Sequence, residues 1–259
     1  MRAGLDQEEP RDPANGAQRV FAALRERLLA GDLKSGERLP AERELALSLG
    51  ISRPILREAL RSLAMLGFLE IRHGSGAYVR NPDIATLGDF LTFCMAQQPD
   101  VLDDVIQARI AIECQAIRLA CEQASEADLN RIAASFTSLM ETLDDPVLGG
   151  KADYEFHLGI VKASRSAALL TLYRAISPLL MQSHVQRRRI TAPGIRNYLV
   201  DAHREVFLSI VDRKPDEAEK RLREHFTIGD EYRRKSLIAE YRQLKAETTS
   251  NQQTGETNQ

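Results

Sequence analysis

The sequence predicts a mainly α-helical chain in two parts, a small N-terminal unit with one β-hairpin and a larger C-terminal unit made of helices alone. Three observations carry this. Residues 52–80, SRPILREALRSLAMLGFLEIRHGSGAYVR, read as a helix followed by two extended runs about a glycine-rich turn. From about Thr86 to Leu244 apolar residues recur at helical spacing, with no alternating β pattern, internal repeat or glycine-rich phosphate loop. Between them, Asn81-Pro82-Asp83 supplies turn residues, so residues 81–86 read as a linker.

Residues 1–16 carry Asp6, Glu8 and Glu9 close together with prolines soon after, and read as a disordered leader. Ala17 to Ala30 is amphipathic, with Val20, Phe21, Leu24, Leu28 and Leu29 on its apolar side. A turn-rich loop, Gly31 to Gly36, leads through Leu39-Pro40 into a second helix, Ala41 to Leu49. Gly50 separates it from a third helix with Ser52 as N-cap and Pro54 in the first turn. Ile55, Leu56, Ala59, Leu60, Leu63 and Leu66 give that helix its apolar face, and Gly67 ends it. Phe68, Leu69 and Ile71 open an extended run, His73-Gly74-Ser75-Gly76 turns it, and Ala77-Tyr78-Val79 returns. This order over residues 17–80 is that of a winged helix-turn-helix. Arg53, Arg57 and Arg61 recur at four-residue intervals on the third helix, and guanidiniums so placed suit the B-DNA major groove, forking onto guanine or phosphate. The spacing alone equally fits solvated arginines; the elements upstream decide.

The C-terminal unit, residues 87–244, reads as an all-α helical bundle. Its predicted helices are Leu87–Gln97, Val101–Glu122, Glu126–Leu143, Lys151–Ala163, Ala167–Gln186, Arg196–Asp212 and Pro215–Leu244, the last with a break near Gly229. Asp144 to Gly150 and Thr191 to Gly194 read as loops, and residues 245–259 as a disordered tail.

Charge is unevenly placed. From Ala17 to Arg80 eleven Lys and Arg face seven Asp and Glu, a local net of +4 within a chain of net −2. A basic module on an acidic body suits nucleic-acid binding confined to one end. No apolar run reaches the roughly 20 residues of a membrane helix. The first residues also lack a signal-peptide core, so a cytoplasmic protein with no membrane partner is expected. Cys94, Cys114 and Cys121 have no CxxC spacing and read as buried free thiols.

A second constellation lies in the C-terminal unit. Asp153 and His157 share a helix face with Phe156, Ile160 and Val161; His203 shares one with Val206, Phe207 and Ile210; His225 shares one with Leu222 and Phe226. Ionisable groups turned toward an apolar core need partners or a metal. Three imidazoles and a carboxylate suit Zn, Ni, Co, Mn or Fe, and helix bundles build such sites. Taken singly, each histidine is equally a hydrogen-bonded core residue.

The string GDLKSGERLPAERELALSLGISRPILREALRSLAMLGFLEIRHGSGAYV resembles the DNA-binding domain of the GntR transcription regulators. The resemblance implies operator contacts from Arg43, Ser52, Arg53 and Arg57, with the wing tip His73-Gly74 in the minor groove. Ile55 stands where many relatives carry a hydroxyl residue. Val105 to Glu113, Asp153-Tyr154-Glu155-Phe156-His157, and His203 to Ile210 running on to His225 are similar to the FCD effector domain of FadR-type regulators. That similarity implies a metal, zinc first, on Asp153, His157, His203 and His225. Ser166 replaces an asparagine common in that family.

The expected function is a ligand-responsive regulator, a repressor rather than an enzyme, bound as a homodimer to palindromic operator DNA. A divalent ion on one carboxylate and neutral imidazoles keeps positive charge, so the expected effector is a small carboxylate. Arg109, matching an arginine that lines the pocket in relatives, is its second cationic contact or else a salt-bridge partner of Glu113. His184, following the apolar Ile176, Leu179 and Leu180, is a further effector contact. The competing reading is a metal-dependent enzyme with an appended DNA-binding module; no adjacent His-Asp pair or nucleophile pattern supports it.

Overall fold

The computed structural model describes residues 13–190 and 195–255. The chain divides into two compact units at Leu87 and Gly88.

In the first unit, α1 (Pro13–Ala30), α2 (Glu42–Ser48) and α3 (Arg53–Met65) precede a hairpin of β1 (Leu69–Arg72) and β2 (Gly76–Val79). α1 begins at Pro13 rather than Ala17, since a proline fits the first turn of a helix without losing a hydrogen bond. Residues 1–12 of the expected leader lie outside the described residues. Ser52 holds the N-cap position of α3 with extended backbone, but its hydroxyl makes no capping bond. At the other end Phe68 N–H reaches Leu63 O at 2.9 Å and Gly67 N–H reaches Ala64 O at 3.0 Å. Gly67 at φ +78° supplies the left-handed residue that this helix stop requires.

The hairpin register pairs Leu69 with Val79 and Arg72 with Gly76, leaving His73-Gly74-Ser75 as the connection. The segment before α2 adds a third rung: Leu39 N–H donates to Ala77 O at 2.8 Å and Val79 N–H to Glu37 O at 2.9 Å. Val20 and Leu24 of α1, Leu56, Leu60 and Leu63 of α3, and Leu69 and Val79 of the hairpin close one core. Burying that face of α3 leaves Arg53, Arg57 and Arg61 exposed on the other.

The second unit contains helices alone among the described residues. They are α4 (Ile84–Met95), α5 (Val101–Gln123), α6 (Glu126–Thr142), α7 (Pro146–Ala163), α8 (Ala167–Ala175), α9 (Ser177–Ile190), α10 (Arg196–Val211) and α11 (Pro215–Gly255). Ile117, Ile132, Phe156, Ile160, Val206, Ile210 and Leu222 fill the main core between α5, α6, α7, α10 and α11.

Boundaries in these helices also differ from the sequence reading. α4 starts at Ile84 rather than Leu87, so residues 84–86 of the expected linker are helix and the division between the units falls inside α4. α7 starts at Pro146, so the predicted loop Asp144 to Gly150 is largely helix. Asp145 caps it by accepting from Val147 and Leu148 N–H, both at 2.8 Å. Gly149 and Gly150 are there for close packing: a Cβ on Gly150 would stand 2.9 Å from Val185 Cα of α9. The predicted Ala167–Gln186 helix splits at Ile176, because Pro178 has no N–H to carry the ladder through. α11 does not break at Gly229. It also carries helical backbone beyond Leu244 to Gly255, no glycine or proline intervening after Gly229. The expected loop Thr191 to Gly194 and residues 256–259 lie outside the described residues. Cys114 and Cys121 are buried free thiols as expected, whereas Cys94 is exposed.

α10 stops at Arg213, in the left-handed region at φ +58°. Its guanidinium donates to Cys121 O at 3.0 Å and Ala124 O at 2.6 Å, closing the carbonyl end of α5. No described helix is long and apolar enough to cross a membrane.

Candidate functional site

Three helices of the second unit contribute to one buried polar cluster. Asp153 and His157 come from α7, His203 from α10 and His225 from α11, and one ligand atom of each lies within 4.8 Å of all the others. The helical spacing that turned these residues inward in sequence therefore also converges in space. Phe156 lies edge-on to His157 and His203 at 5.3 and 5.2 Å between centroids, so an apolar wall backs the cluster.

The second ring nitrogen fixes each imidazole. His157 Nδ1 lies 2.6 Å from Glu113 Oε2, and His203 Nδ1 lies 2.7 Å from Leu199 O. A carboxylate and a carbonyl only accept, so both Nδ1 atoms carry the proton. In the neutral rings Nε2 is then a lone pair. Those lone pairs lie 3.3 Å (His157) and 3.1 Å (His203) from Asp153 Oδ1, itself an acceptor. Three acceptors converge, and a cation is what such a site accommodates. Of six buried side-chain nitrogen or oxygen atoms without a hydrogen-bond partner among the described residues, four are here: His157 Nε2, His225 Nδ1, His184 Nε2 and Arg109 Nη2.

The protonation states agree. Burial would raise the Asp153 carboxyl, but Arg188 and His184 beside it hold it well below the usual carboxylate range. Burial lowers His203, and burial with the neighbouring His203 and His157 rings lowers His225 well below an ordinary imidazole. Neutral imidazoles around an ionised carboxylate are the forms a divalent transition metal takes as ligands. Four nitrogen and oxygen donors suit tetrahedral Zn, or a wider shell with added oxygen ligands for Mn, Fe, Co or Ni.

The sequence reading named Glu113 only as a salt-bridge partner of Arg109, and missed its bond to His157 as well as Arg188 and Tyr173. Glu113 is fully buried and binds Arg109 Nε at 2.7 Å and Tyr173 OH at 2.8 Å besides His157. Burial opposes its ionisation, yet Arg109 and His157 lower it to about 2. Arg188 Nη2 lies 3.1 Å from Asp153 Oδ2. It stands four residues after His184 on α9, a spacing visible in sequence. Tyr173 gave no signal. The two readings of Arg109 prove compatible: Nε pairs with Glu113 while Nη2 has no partner. His184 stands behind Asp153, its Nδ1 3.3 Å from Oδ2, with its ring lowered to about 4 chiefly by burial.

A cavity of about 40 Å³ adjoins the cluster, lined by Arg109, Asp153, Arg188, His225, Phe226 and Gly229 among others. His184 is absent from its wall. Gly229 matters here, since a Cβ would stand 3.2 Å from Arg187 Nη2.

In the first unit Arg43, Ser52, Arg53 and Arg57 are exposed on α2 and the start of α3, and His73 and Gly74 at the hairpin tip. Arg57 Nε pairs with Glu42 Oε2 at 2.7 Å.

Comparison with known proteins agrees with both halves. Residues 16–79 match the family model described as bacterial regulatory proteins, gntR family, and residues 104–227 match the FCD domain. A protein of Escherichia coli (strain K12) named as an L-lactate dehydrogenase operon regulatory protein is 33% identical over 218 residues, 82% of each chain. The HTH-type transcriptional regulator LutR of Bacillus subtilis (strain 168) is 28% identical over 76% of this chain and 91% of its own. The HTH-type transcriptional repressor NanR of Edwardsiella tarda is 24% identical over 91% of this chain and 89% of its own. Among solved structures, Streptococcus agalactiae GntR shares the fold at a TM-score of 0.57 and 24% identity, over 85% of this chain and all of its own.

Proposed function

The chain belongs to the GntR family of transcription regulators with an FCD domain, and from that premise we propose that it senses a small carboxylate through a metal held by Asp153, His157, His203 and His225. The carrying observation is the convergence of Asp153 Oδ1 with two imidazole lone pairs and no donor among them. When bound, the metal supplies open positions for hard oxygen donors. A divalent ion with Arg109 and Arg188 carries four positive charges against the two of Asp153 and Glu113, which favours an anion. Arg109 Nη2 offers it a charge-assisted hydrogen bond.

The E. coli relative's name makes a short 2-hydroxy acid of the lactate type the first effector to try. Zinc is the preferred ion. The effector alters operator affinity by binding two conformations unequally. A homodimer, through α3, the wing tip, Arg43 and Ser52, reads a palindrome in the cytoplasm as a repressor. The bound metal serves recognition, not turnover; the relatives are named as regulators.

Elemental analysis of purified protein, followed by calorimetry with L-lactate and a panel of di- and hydroxycarboxylates on wild type and His203→Ala, tests this. Metal at one equivalent and heats lost in the variant support it. Carboxylate binding that survives complete metal removal refutes the metal's role.

A further inference from the structure

A winged module that sends α3 into the major groove and its hairpin tip into the neighbouring minor groove must straddle one sugar–phosphate strand, because one strand separates adjacent grooves. The place for that strand is the cleft between α3 and the hairpin. It encloses about 550 Å³ and is lined by Arg38, Arg57, Arg61, Arg72 and His73 against a single acidic side chain, Glu42. The arginines of α3 stand on one wall and Arg72 and His73 on the other.

Arg38 comes from neither wall. It lies in the segment before α2 that pairs with β2, bridging Tyr78. Its guanidinium crosses the start of β2 in contact with Gly76: a Cβ there would stand 3.1 Å from Nε and 3.5 Å from Nη2. Gly76, at φ +110°, is thus required twice, for its backbone conformation and for the seat it leaves to Arg38. Arg38 is exposed, whereas Arg57 and Arg72 are already paired with Glu42 and Glu70. An arginine laid across the start of β2, next to the wing tip in a basic cleft, is placed to meet a phosphodiester.

We propose that this cleft is a phosphate-strand seat and that Arg38 is a DNA-backbone contact outside both α3 and the wing tip. The inference rests on the DNA-binding reading of the first unit. It assigns Arg38 to affinity and register, not to base choice.

The test uses the full-length protein and a fluorescein-labelled duplex of mixed sequence about three helical turns long, titrated by anisotropy across salt, so that no operator is needed. One lost phosphate contact lowers the slope of log K against log salt by about 0.9, or roughly 3.5-fold less change in affinity between about 50 and about 200 mM. Arg38→Gln is expected to show that loss with an unchanged thermal melt. Arg38→Lys, which keeps the charge, is expected to retain most of the slope. Arg25→Gln removes an exposed charge from α1, beside a separate depression of the same unit, and is expected to leave the slope intact. A wild-type slope in Arg38→Gln, or an equal loss in Arg25→Gln, overturns the assignment. A wild-type protein with no salt-dependent binding to any duplex would instead defeat the DNA-binding reading, and this proposal with it.

Discussion

Replacing Glu113 by glutamine keeps its volume and removes its charge. Glu113 now accepts from Arg109 Nε and Tyr173 OH on Oε1 and from His157 Nδ1 on Oε2, and is fully buried. A glutamine serves the first two donors with its carbonyl and turns its amide N–H₂ toward His157. His157 Nδ1 must then accept, which moves the ring proton to Nε2, the atom facing Asp153. The metal must displace that proton or lose a ligand. Groups that orient metal-bound histidines are worth about 10- to 100-fold in affinity, or roughly 1.4–2.8 kcal/mol. The apo fold also suffers, because buried Arg109 loses its counter-charge; breaking such a pair costs up to about 3–5 kcal/mol, and the amide dipole recovers part. Competition with a chromophoric zinc chelator, with melting of metal-free protein alongside, separates the effects. Metal affinity within twofold of wild type would show that Glu113 does not set the tautomer of His157, and the reasoning would fail.

Three further outcomes are expected. Gly150→Ala drives a methyl into the α9 backbone at Val185, so stability measured by melting should fall by an amount typical of overpacking, about 1–3 kcal/mol. Asp128 completes a capping box with Ser125, and the bonds from the Ser125 hydroxyl and N–H, followed by those from Arg165 and Arg131, hold its carboxyl below the usual range. A depressed carboxyl stabilises the fold above its unfolded value near 3.9 and loses that contribution as pH falls, so Asp128→Asn should flatten the stability profile of the metal-free protein below about pH 4. Arg53→Ala should weaken binding to a site selected from random duplexes by roughly 1–3 kcal/mol if it forks onto a base, and an unchanged gel shift would remove it from the interface.

The DNA-binding half was legible because its signals are local. Helical spacing of Leu56, Leu60 and Leu63, a left-handed glycine after each helix, and a glycine turn between short extended runs each specify backbone without reference to the rest of the chain. The inward placement of the proposed metal ligands was legible because a histidine among Phe156, Ile160 and Val206 has to face the core whichever way the bundle closes. Arg188 and the bond of Glu113 to His157 were not, since a charged residue on a helix reads as solvated until neighbouring helices turn it inward. Gly149-Gly150 misled for a related reason. Paired glycines signal a loop in sequence, whereas here they are the small residues that let α7 approach Thr142 and Val185.

The convergence in the second unit also bears on why such a cluster persists in a core. An unsatisfied buried polar atom costs about 1–3 kcal/mol, so four such nitrogens amount to a large share of the roughly 5–15 kcal/mol by which a domain is stable. Apolar replacements would relieve that cost, and Phe156 and Phe226 show that the surroundings accept them. A water can donate to two acceptors, but Asp153 Oδ1 and the Nε2 lone pairs of His157 and His203 are three, the nitrogens standing 3.3 and 3.1 Å from that oxygen. A metal cation would answer all three at once and return the cost as binding free energy, which would couple metal and anion occupancy to the packing of α7, α10 and α11. On the proposed function, effector occupancy would then change the stability of the helices that carry the site, which is the coupling that a ligand-responsive regulator needs.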